Sequence, residues 1–167
     1  LAFKSQLEKV ESYVGIGVDE GATLRYGGKR PDVGLPGYFF EPTVLTETNN
    51  DMRVCQEEIF GPVAAIMPFE TEEEVLRLAN DTEYGLAAGV WTSNLQRAMR
   101  MSQKLDAGTI WLNTYRAMSP MSPRQGFKNS GVGIEHGLES INEYTRLKSV
   151  WINTNEDPVA DPFILRS

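Results

Sequence analysis

Sulfur and imidazole are scarce in this sequence, whose 167 residues include one cysteine, Cys55, and one histidine, His136. A single thiol forms no intramolecular disulfide, and the pair assembles no Cys-rich zinc site; HxxxH and HExxH spacings do not occur. Thiol usage of this kind fits a reducing compartment, so the expected location is cytoplasmic. Positive charge is also in deficit: 16 Lys and Arg stand against 23 Asp and Glu, a net charge of −7, which argues against a nucleic-acid or anionic-membrane partner. The acidic residues are scattered and describe a solvated surface, not an acidic tail. No stretch approaches the roughly 18 apolar residues of a membrane span. Internal repeats and low-complexity tracts are missing too. There is no initiator Met, and the opening LAFKSQLEKVESYV reads as an amphipathic helix with Lys4, Glu8 and Glu11 on its polar side, not as a signal peptide. A chain that opens at Leu1 inside such a pattern is expected to be a piece of a longer polypeptide.

What the chain does have is 41% hydrophobic residues, enough for one ordinary domain with its own core and too little for two full-sized ones. Leu7, Val10 and Val14 recur at helical spacing and predict a helix over residues 3–18. Runs at 22–26 and 38–45 are rich in β-branched and aromatic residues and predict strands, with Pro42 making the second an edge or bulged strand. The Gly/Pro-dense segment between them reads as an exposed loop. From Pro62 the pattern alternates regularly: strand 63–69, helix 71–81, strand 86–92, helix 93–106, strand 108–113. Thr71 with Glu74 and Ser93 with Gln96 form the expected capping boxes. In the second of these helices Leu95, Ala98, Met99, Ser102 and Leu105 fall on one face, and Gly108 supplies the stop. Short apolar strands alternating with amphipathic helices require parallel pairing and right-handed crossovers. The expected fold is therefore α/β, an open, twisted, mainly parallel sheet with flanking helices. The last third holds a Pro/Ser/Arg-rich loop at 115–126, a Gly-rich turn at 130–137, a short helix near 138–144 and an apolar run at 147–153. Beyond Asn155 the tail, with Pro158 and Pro162, is expected to be extended.

Chemistry is sparsely signalled. Cys55 and His136 could pair as nucleophile and base, but Glu57 and Glu58 beside Cys55 oppose thiolate formation, so a plain buried or half-buried thiol is the stronger expectation. His136 reads as a turn or surface histidine. The glycines of GVGIEHG are spaced GxGxxxG, one residue off the dinucleotide fingerprint, and follow a polar loop in place of a strand. GGK at 27–29 lacks the Ser or Thr of a P-loop; both glycine segments are expected to be turns. QEEIFGPV at 56–63 is more informative. Adjacent carboxylates in extended chain point in different directions, so one can face inward and accept from two neighbouring hydroxyls, as a ribose diol offers. Phe60 could add a flat apolar wall, with Gly61 and Pro62 fixing the turn. The competing expectation is an acidic loop before a strand, with Phe60 in the core.

The run EEIFGPV resembles a signature of the NAD(P)-dependent aldehyde dehydrogenase superfamily. Its flanks agree in order: MRVCQEEIFGPV, NDTEYGLAAGVWTSN, GTIWLN and GFKNSGVGIEHGLESINEYTRLKSV, covering the chain from Gln6 to about Asn153. The resemblance implies a C-terminal portion of such an enzyme. On that basis residues 1–60 end the catalytic-domain core and return to the cofactor-binding region, and 61–137 form a βαβαβ catalytic segment with the substrate loop. Residues 138–167 then form a C-terminal oligomerisation segment with a strand. The family's catalytic cysteine, general base, oxyanion-hole asparagine and cofactor-phosphate loop lie upstream of the matching segment, so no catalytic residue and no metal ligand is carried over, and the chain alone is expected to be inactive. Glu58 matches the glutamate that holds the nicotinamide ribose, and Phe60 the aromatic beside it. Gln6 and Lys9 match positions in a helix that reaches the adenosine side of the cofactor in some members.

The loop 115–124 corresponds to the wall of the aldehyde tunnel, with Tyr115, Met118 and Arg124 as contacts. Many members read SPFGG where this chain reads SPRQG, which puts Arg124 in the place of an aromatic, with Arg116 nearby. An arginine there suits a substrate with a polar or anionic group remote from the aldehyde, unless both arginines sit on the rim in solvent. The implied partners are NAD or NADP, a small aldehyde and further copies of the chain, as a dimer or tetramer. Two other readings are a stand-alone nucleotide-binding or oligomerisation module without dehydrogenase activity, and a small hydrolase using Cys55 and His136.

Overall fold

The computed structural model describes residues 1–154 and 156, so the extended tail expected around Pro158 and Pro162 lies outside the described residues. Two small cores organise the rest. Helix α1 (Lys4–Asp19) buries Leu7, Val10, Val14 and Gly17, one stripe at helical spacing. It packs on a three-stranded sheet in which β1 (Thr23–Tyr26) runs antiparallel to β2 (Thr43–Thr46), and β2 runs parallel to β3 (Val63–Ala65). Leu45 and Val10 are fully buried at the centre of this core, with Phe40, Met52, Val54 and Ile59 around them. A Cβ on Gly17 would meet Val54 Cγ1 at 2.9 Å and Leu45 Cδ1 at 3.0 Å, so glycine there lets the helix sit down on the sheet. The short helix α2 (Arg53–Gln56) follows β2.

In the second core, α3 (Glu72–Asn80) and α4 (Leu95–Lys104) cover the parallel pair β5 (Ala87–Val90) and β6 (Thr109–Leu112). Leu76, Met101 and Leu105 are buried here against Val75, Ala88, Val90 and Ile110. Glu72 on α3 is bonded by Arg97 at 3.2 Å and Arg100 at 2.8 Å on α4, which ties the two helices on their outer side. Two antiparallel ladders complete the fold: β4 (Tyr84–Gly85) with β8 (Phe127–Lys128), and β7 (Arg124–Gln125) with β9 (Ile134–Glu135). A 3₁₀ helix spans Glu139–Tyr144. No helix among the described residues is long and apolar enough to cross a membrane.

The mixed α/β content matches the expectation, but the single, mainly parallel sheet does not. The described strands form four small sheets with two parallel and three antiparallel ladders, and β3 and β5, the expected neighbours, share none. Pro62 immediately precedes β3 and Pro42 immediately precedes β2, so neither strand begins earlier. The apolar run at 147–153 forms no ladder among the described residues, and Trp151 is 93% exposed.

The caps also shift. Thr71 accepts from the Glu74 N–H at 3.1 Å as expected, while Glu74 reaches past it to the Glu70 N–H at 2.8 Å. For α4 the cap is Asn94, not Ser93: Asn94 Oδ1 accepts from the Arg97 N–H at 2.9 Å. The buried stripe is Ala98, Met101 and Leu105, while Leu95 and Met99, expected on the same face, are exposed. Accordingly, Asn94→Ala should lower stability by about 1 kcal/mol and Ser93→Ala by only a few tenths, measured by urea unfolding. Equal losses would return the cap to Ser93.

Candidate functional site

One face of α1 reads the segment 57–61 turn by turn. Gln6 Nε2 donates to the carbonyl oxygens of Ile59 and Phe60, both at 2.9 Å. One turn on, Lys9 Nζ donates to the Glu58 carbonyl at 2.6 Å. Val10 presses on Gly61, where a Cβ would come within 2.3 Å of Val10 Cγ2, so no larger residue fits that approach. A further turn along, the Tyr13 hydroxyl donates to the Glu57 carboxylate. Positions 6, 9, 10 and 13 share a helix face because the helix repeats every 3.6 residues.

This grip separates the two adjacent glutamates. Glu57 accepts a fork from Arg53, at 2.7 and 3.0 Å, in addition to Tyr13. Arg53 and Lys9 also lie over the Tyr13 ring, 5.4 and 5.5 Å from its centroid. The hydrogen bonds from Arg53 and then Tyr13 hold the Glu57 carboxyl down at about 2. The Tyr13 phenol is pushed up in turn, chiefly by its bond to Glu57. Glu58, by contrast, has an exposed side chain with no hydrogen-bond or ion-pair partner among the described residues. The expectation that one carboxylate turns inward is therefore corrected: both are at the surface, and they differ in whether their oxygens are already occupied. Phe60 is 74% exposed and has a φ of 55°, in the left-handed region, so its ring is not in the core. The strained backbone is held by the Gln6 and Gly61 contacts on either side of it. A free carboxylate beside an exposed aromatic face, on a backbone fixed from behind, fits a ribose diol: two oxygens accept two hydroxyls while the ring covers the apolar side.

A second group forms on the loop after β6. The Trp111 indole N–H donates to the Ala117 carbonyl at 2.8 Å, and the Tyr115 ring meets Trp111 edge-on at a centroid distance of 5.4 Å. Asn113 and Thr92 exchange hydrogen bonds of 2.8 and 2.9 Å at the foot of the loop. Asn113 and Arg116 both have positive φ, at 53° and 57°. Met118 and Arg124 share a cavity of about 220 Å³ with Trp111, while Arg116 stays exposed. Gln6, Lys9, Glu58 and Phe60 are thus brought together at one place, and Tyr115, Met118 and Arg124 at another.

Cys55 and His136 are not brought together; they line different cavities. Burial raises the Cys55 thiol, and Glu20 adds to this against a lowering contact with Thr48, so the group is a thiol at neutral pH. The Gly-rich segment turns through Gly131, Gly133 and Gly137, all at positive φ, and leads into the 3₁₀ helix, with no strand-to-helix phosphate turn. Among the described residues no group of three or more His, Cys, Asp or Glu side chains is placed to hold a metal. Sequence reasoning missed Tyr13, Arg53 and Trp111. The spacing of Gln6, Lys9 and Tyr13 was a usable signal for one shared face, but nothing local tells which segment that face touches.

Residues 1–150 match the model of the aldehyde dehydrogenase family. Betaine aldehyde dehydrogenase of Bacillus subtilis is 48% identical over 148 residues, which cover 87% of this chain and 30% of that protein. Betaine aldehyde dehydrogenase of Mesorhizobium japonicum is 47% identical over 165 residues, covering 98% of this chain and 34% of the relative. The NAD+ complex of aldehyde dehydrogenase from Bacillus cereus superposes with a TM-score of 0.85 at 45% identity, over 92% of this chain and 31% of that one. The chain spans about a third of the length of the relatives it matches.

Two outcomes are expected at the grip. Gly61→Ala should lower stability by about 1–3 kcal/mol in thermal unfolding, because Val10 must be displaced. Glu57 is depressed from its ordinary 4.5 to about 2, so its contribution is complete above pH 4.5 and lost as pH falls through 2. Urea unfolding at a series of pH values should show a shallower fall below pH 4.5 in Glu57→Gln, the effect being small because solvent screens this exposed cluster. An unchanged acid limb would remove Glu57 from the grip.

Proposed function

Because the chain belongs to the aldehyde dehydrogenase family, we propose that it supplies the cofactor-holding edge and part of the substrate wall of an enzyme that oxidises an aldehyde to a carboxylic acid with NAD or NADP. The observation that carries this is the contrast between the adjacent glutamates: Glu57 is occupied by Arg53 and Tyr13, and Glu58 is free beside the exposed Phe60 ring. Glu58 would accept the two hydroxyls of the ribose next to the nicotinamide, and Phe60 would pack along that ribose and ring. When bound, such a dinucleotide supplies the hydride acceptor of an aldehyde oxidation.

Gln6 and Lys9, which the resemblance puts at the adenosine side, direct their nitrogens at the carbonyls of residues 58–60. We therefore read them as positioning residues: they keep Glu58 and Phe60 from drifting, where a misplacement of about 1 Å is worth about a hundredfold in rate. Tyr115, Met118 and Arg124 are the proposed substrate contacts, held by the Trp111 bonds. Cys55 is a half-buried thiol whose pKa is raised chiefly by burial, so we do not assign it as the nucleophile; by the resemblance, the thiolate that adds to the aldehyde and the carboxylate that activates water belong to the upstream part of such an enzyme. On this reading the chain is the C-terminal portion of the enzyme and inactive alone. The exposed apolar run at 147–153 then belongs to a segment that faces another copy in a dimer or tetramer.

The test is Glu58→Gln in the protein that carries this chain. Single-turnover hydride transfer should slow by about tenfold or more, with nucleotide affinity falling less than about threefold. An unchanged hydride-transfer rate overturns the role of Glu58. Nucleotide binding that depends on Glu58 with no aldehyde oxidation at all favours the alternative, a nucleotide-binding module without dehydrogenase chemistry.

A further inference from the structure

The cavity under the loop after β6 has a lining unlike the surface around it. In a chain of net charge −7, its walls carry no aspartate or glutamate, and they include Arg124, His136, the hydroxyls of Ser119 and Ser122, and the indole of Trp111. Its volume is about 220 Å³. Arg124 is half-buried and makes no ion pair among the described residues. Its Nη1 lies 3.9 Å from Met118 Sδ, and Met118 lines this cavity, so the guanidinium end is turned into it. Glu135 stands opposite Arg124 in the β7–β9 register, and Arg124 also lines the neighbouring cavity that holds Glu135 and Glu143, yet neither glutamate forms a salt bridge with it. His136, in the next position, has a φ of 65° and lines the Arg124 cavity, and its ring has no hydrogen-bond partner among the described residues.

A partly desolvated guanidinium is stabilised by a bidentate anion far more than by a sulfur contact. Here Arg124, two serines and His136 line one space whose own walls hold no acidic residue. The position is also fixed. Trp111 holds the loop at Ala117, and the ladder to β9 holds Arg124 opposite Glu135. A Cβ on Gly108, at the other wall, would meet the Gln125 carbonyl at 1.8 Å, so the loop residue after Arg124 is packed tightly against the start of β6.

We infer that this cavity binds a carboxylate, held by Arg124 with Ser119, Ser122 and His136, and that the carboxylate is the end of the aldehyde substrate remote from the reacting carbon. The substrate class is then a short aldehyde acid. The link to the substrate rests on the proposed function; the binding of the carboxylate does not.

The experiment separates the two. The protein is titrated with glutarate, a five-carbon dicarboxylate with no aldehyde, and the Trp111 indole N–H resonance is followed by NMR. A saturable shift is expected, with affinity at least about tenfold weaker in Arg124→Gln and lowered less in Arg124→Lys, which keeps the charge and loses the fork. Ser122→Ala gives an independent, smaller loss should Arg124→Gln misfold. No saturable shift, equal affinity in Arg124→Gln, or phosphate binding as tightly as glutarate overturns the carboxylate site. The second arm uses the protein that carries this chain and compares kcat/KM for a five-carbon aldehyde with a terminal carboxylate against pentanal. A preference of about tenfold or more that Arg124→Gln abolishes is expected, and equal use of both aldehydes overturns the assignment to substrate. Failure to oxidise either aldehyde counts against the dehydrogenase reading, while the glutarate arm still decides the carboxylate site.

Discussion

The hold of one α1 face on the carbonyls of residues 58–60 is the interaction on which the candidate cofactor edge depends. Those carbonyls sit on an irregular segment between a four-residue helix and a three-residue strand, where no ladder could satisfy them. Gln6 and Lys9 satisfy them from a regular element that is itself anchored by Leu7, Val10 and Val14 in the first core. The loop thereby inherits the rigidity of a helix without being one. Glu57, tied down by Arg53 and Tyr13, acts as a tether that leaves its neighbour Glu58 exposed and unpaired.

The same arrangement recurs at the second site in different chemistry. Trp111 stands on β6, a strand buried by α3 and α4, and uses its indole N–H and ring to hold Ala117 and Tyr115. In both places candidate site residues sit on irregular segments, Glu58 and Phe60 in one and Tyr115 and Met118 in the other, and side chains from regular elements behind them set their geometry. The two sites also divide the charge. Near Glu58 the cations of Lys9 and Arg53 are spent on a carbonyl and on Glu57, so the free group is an anion that accepts hydroxyls. Near Arg124 the group without an ion pair is a cation, in a cavity whose lining holds no acid.

Much of this was legible in the sequence because it depends on short-range pattern. The spacing of Leu7, Val10 and Val14 placed α1, and Thr71 placed the start of α3. The pattern of EEIFGPV left open which glutamate mattered, and only the resemblance singled out Glu58 with Phe60. What the pattern did not carry was pairing. Strand partners are chosen by long-range fit, so the runs at 63–69 and 86–92 looked like neighbours in one sheet, whereas among the described strands β3 pairs only with β2. Nor could composition tell Asn94 from Ser93 as a cap, since both side chains are good acceptors and one residue of helix phase decides. Gln6 and Lys9 looked like ligand-facing polar residues; only the fold reveals that their partners are backbone atoms more than 40 positions away.

Phe60 combines a large exposed ring with a left-handed backbone, a pairing that proteins otherwise avoid. Glycine or asparagine would adopt that conformation with less strain, and removing an exposed ring forfeits little burial. Heat tolerance and the proposed nucleotide contact therefore pull position 60 in opposite directions. A lineage, or a laboratory selection, that rewarded only resistance to unfolding would drift toward the small residue and silently dismantle the aromatic face.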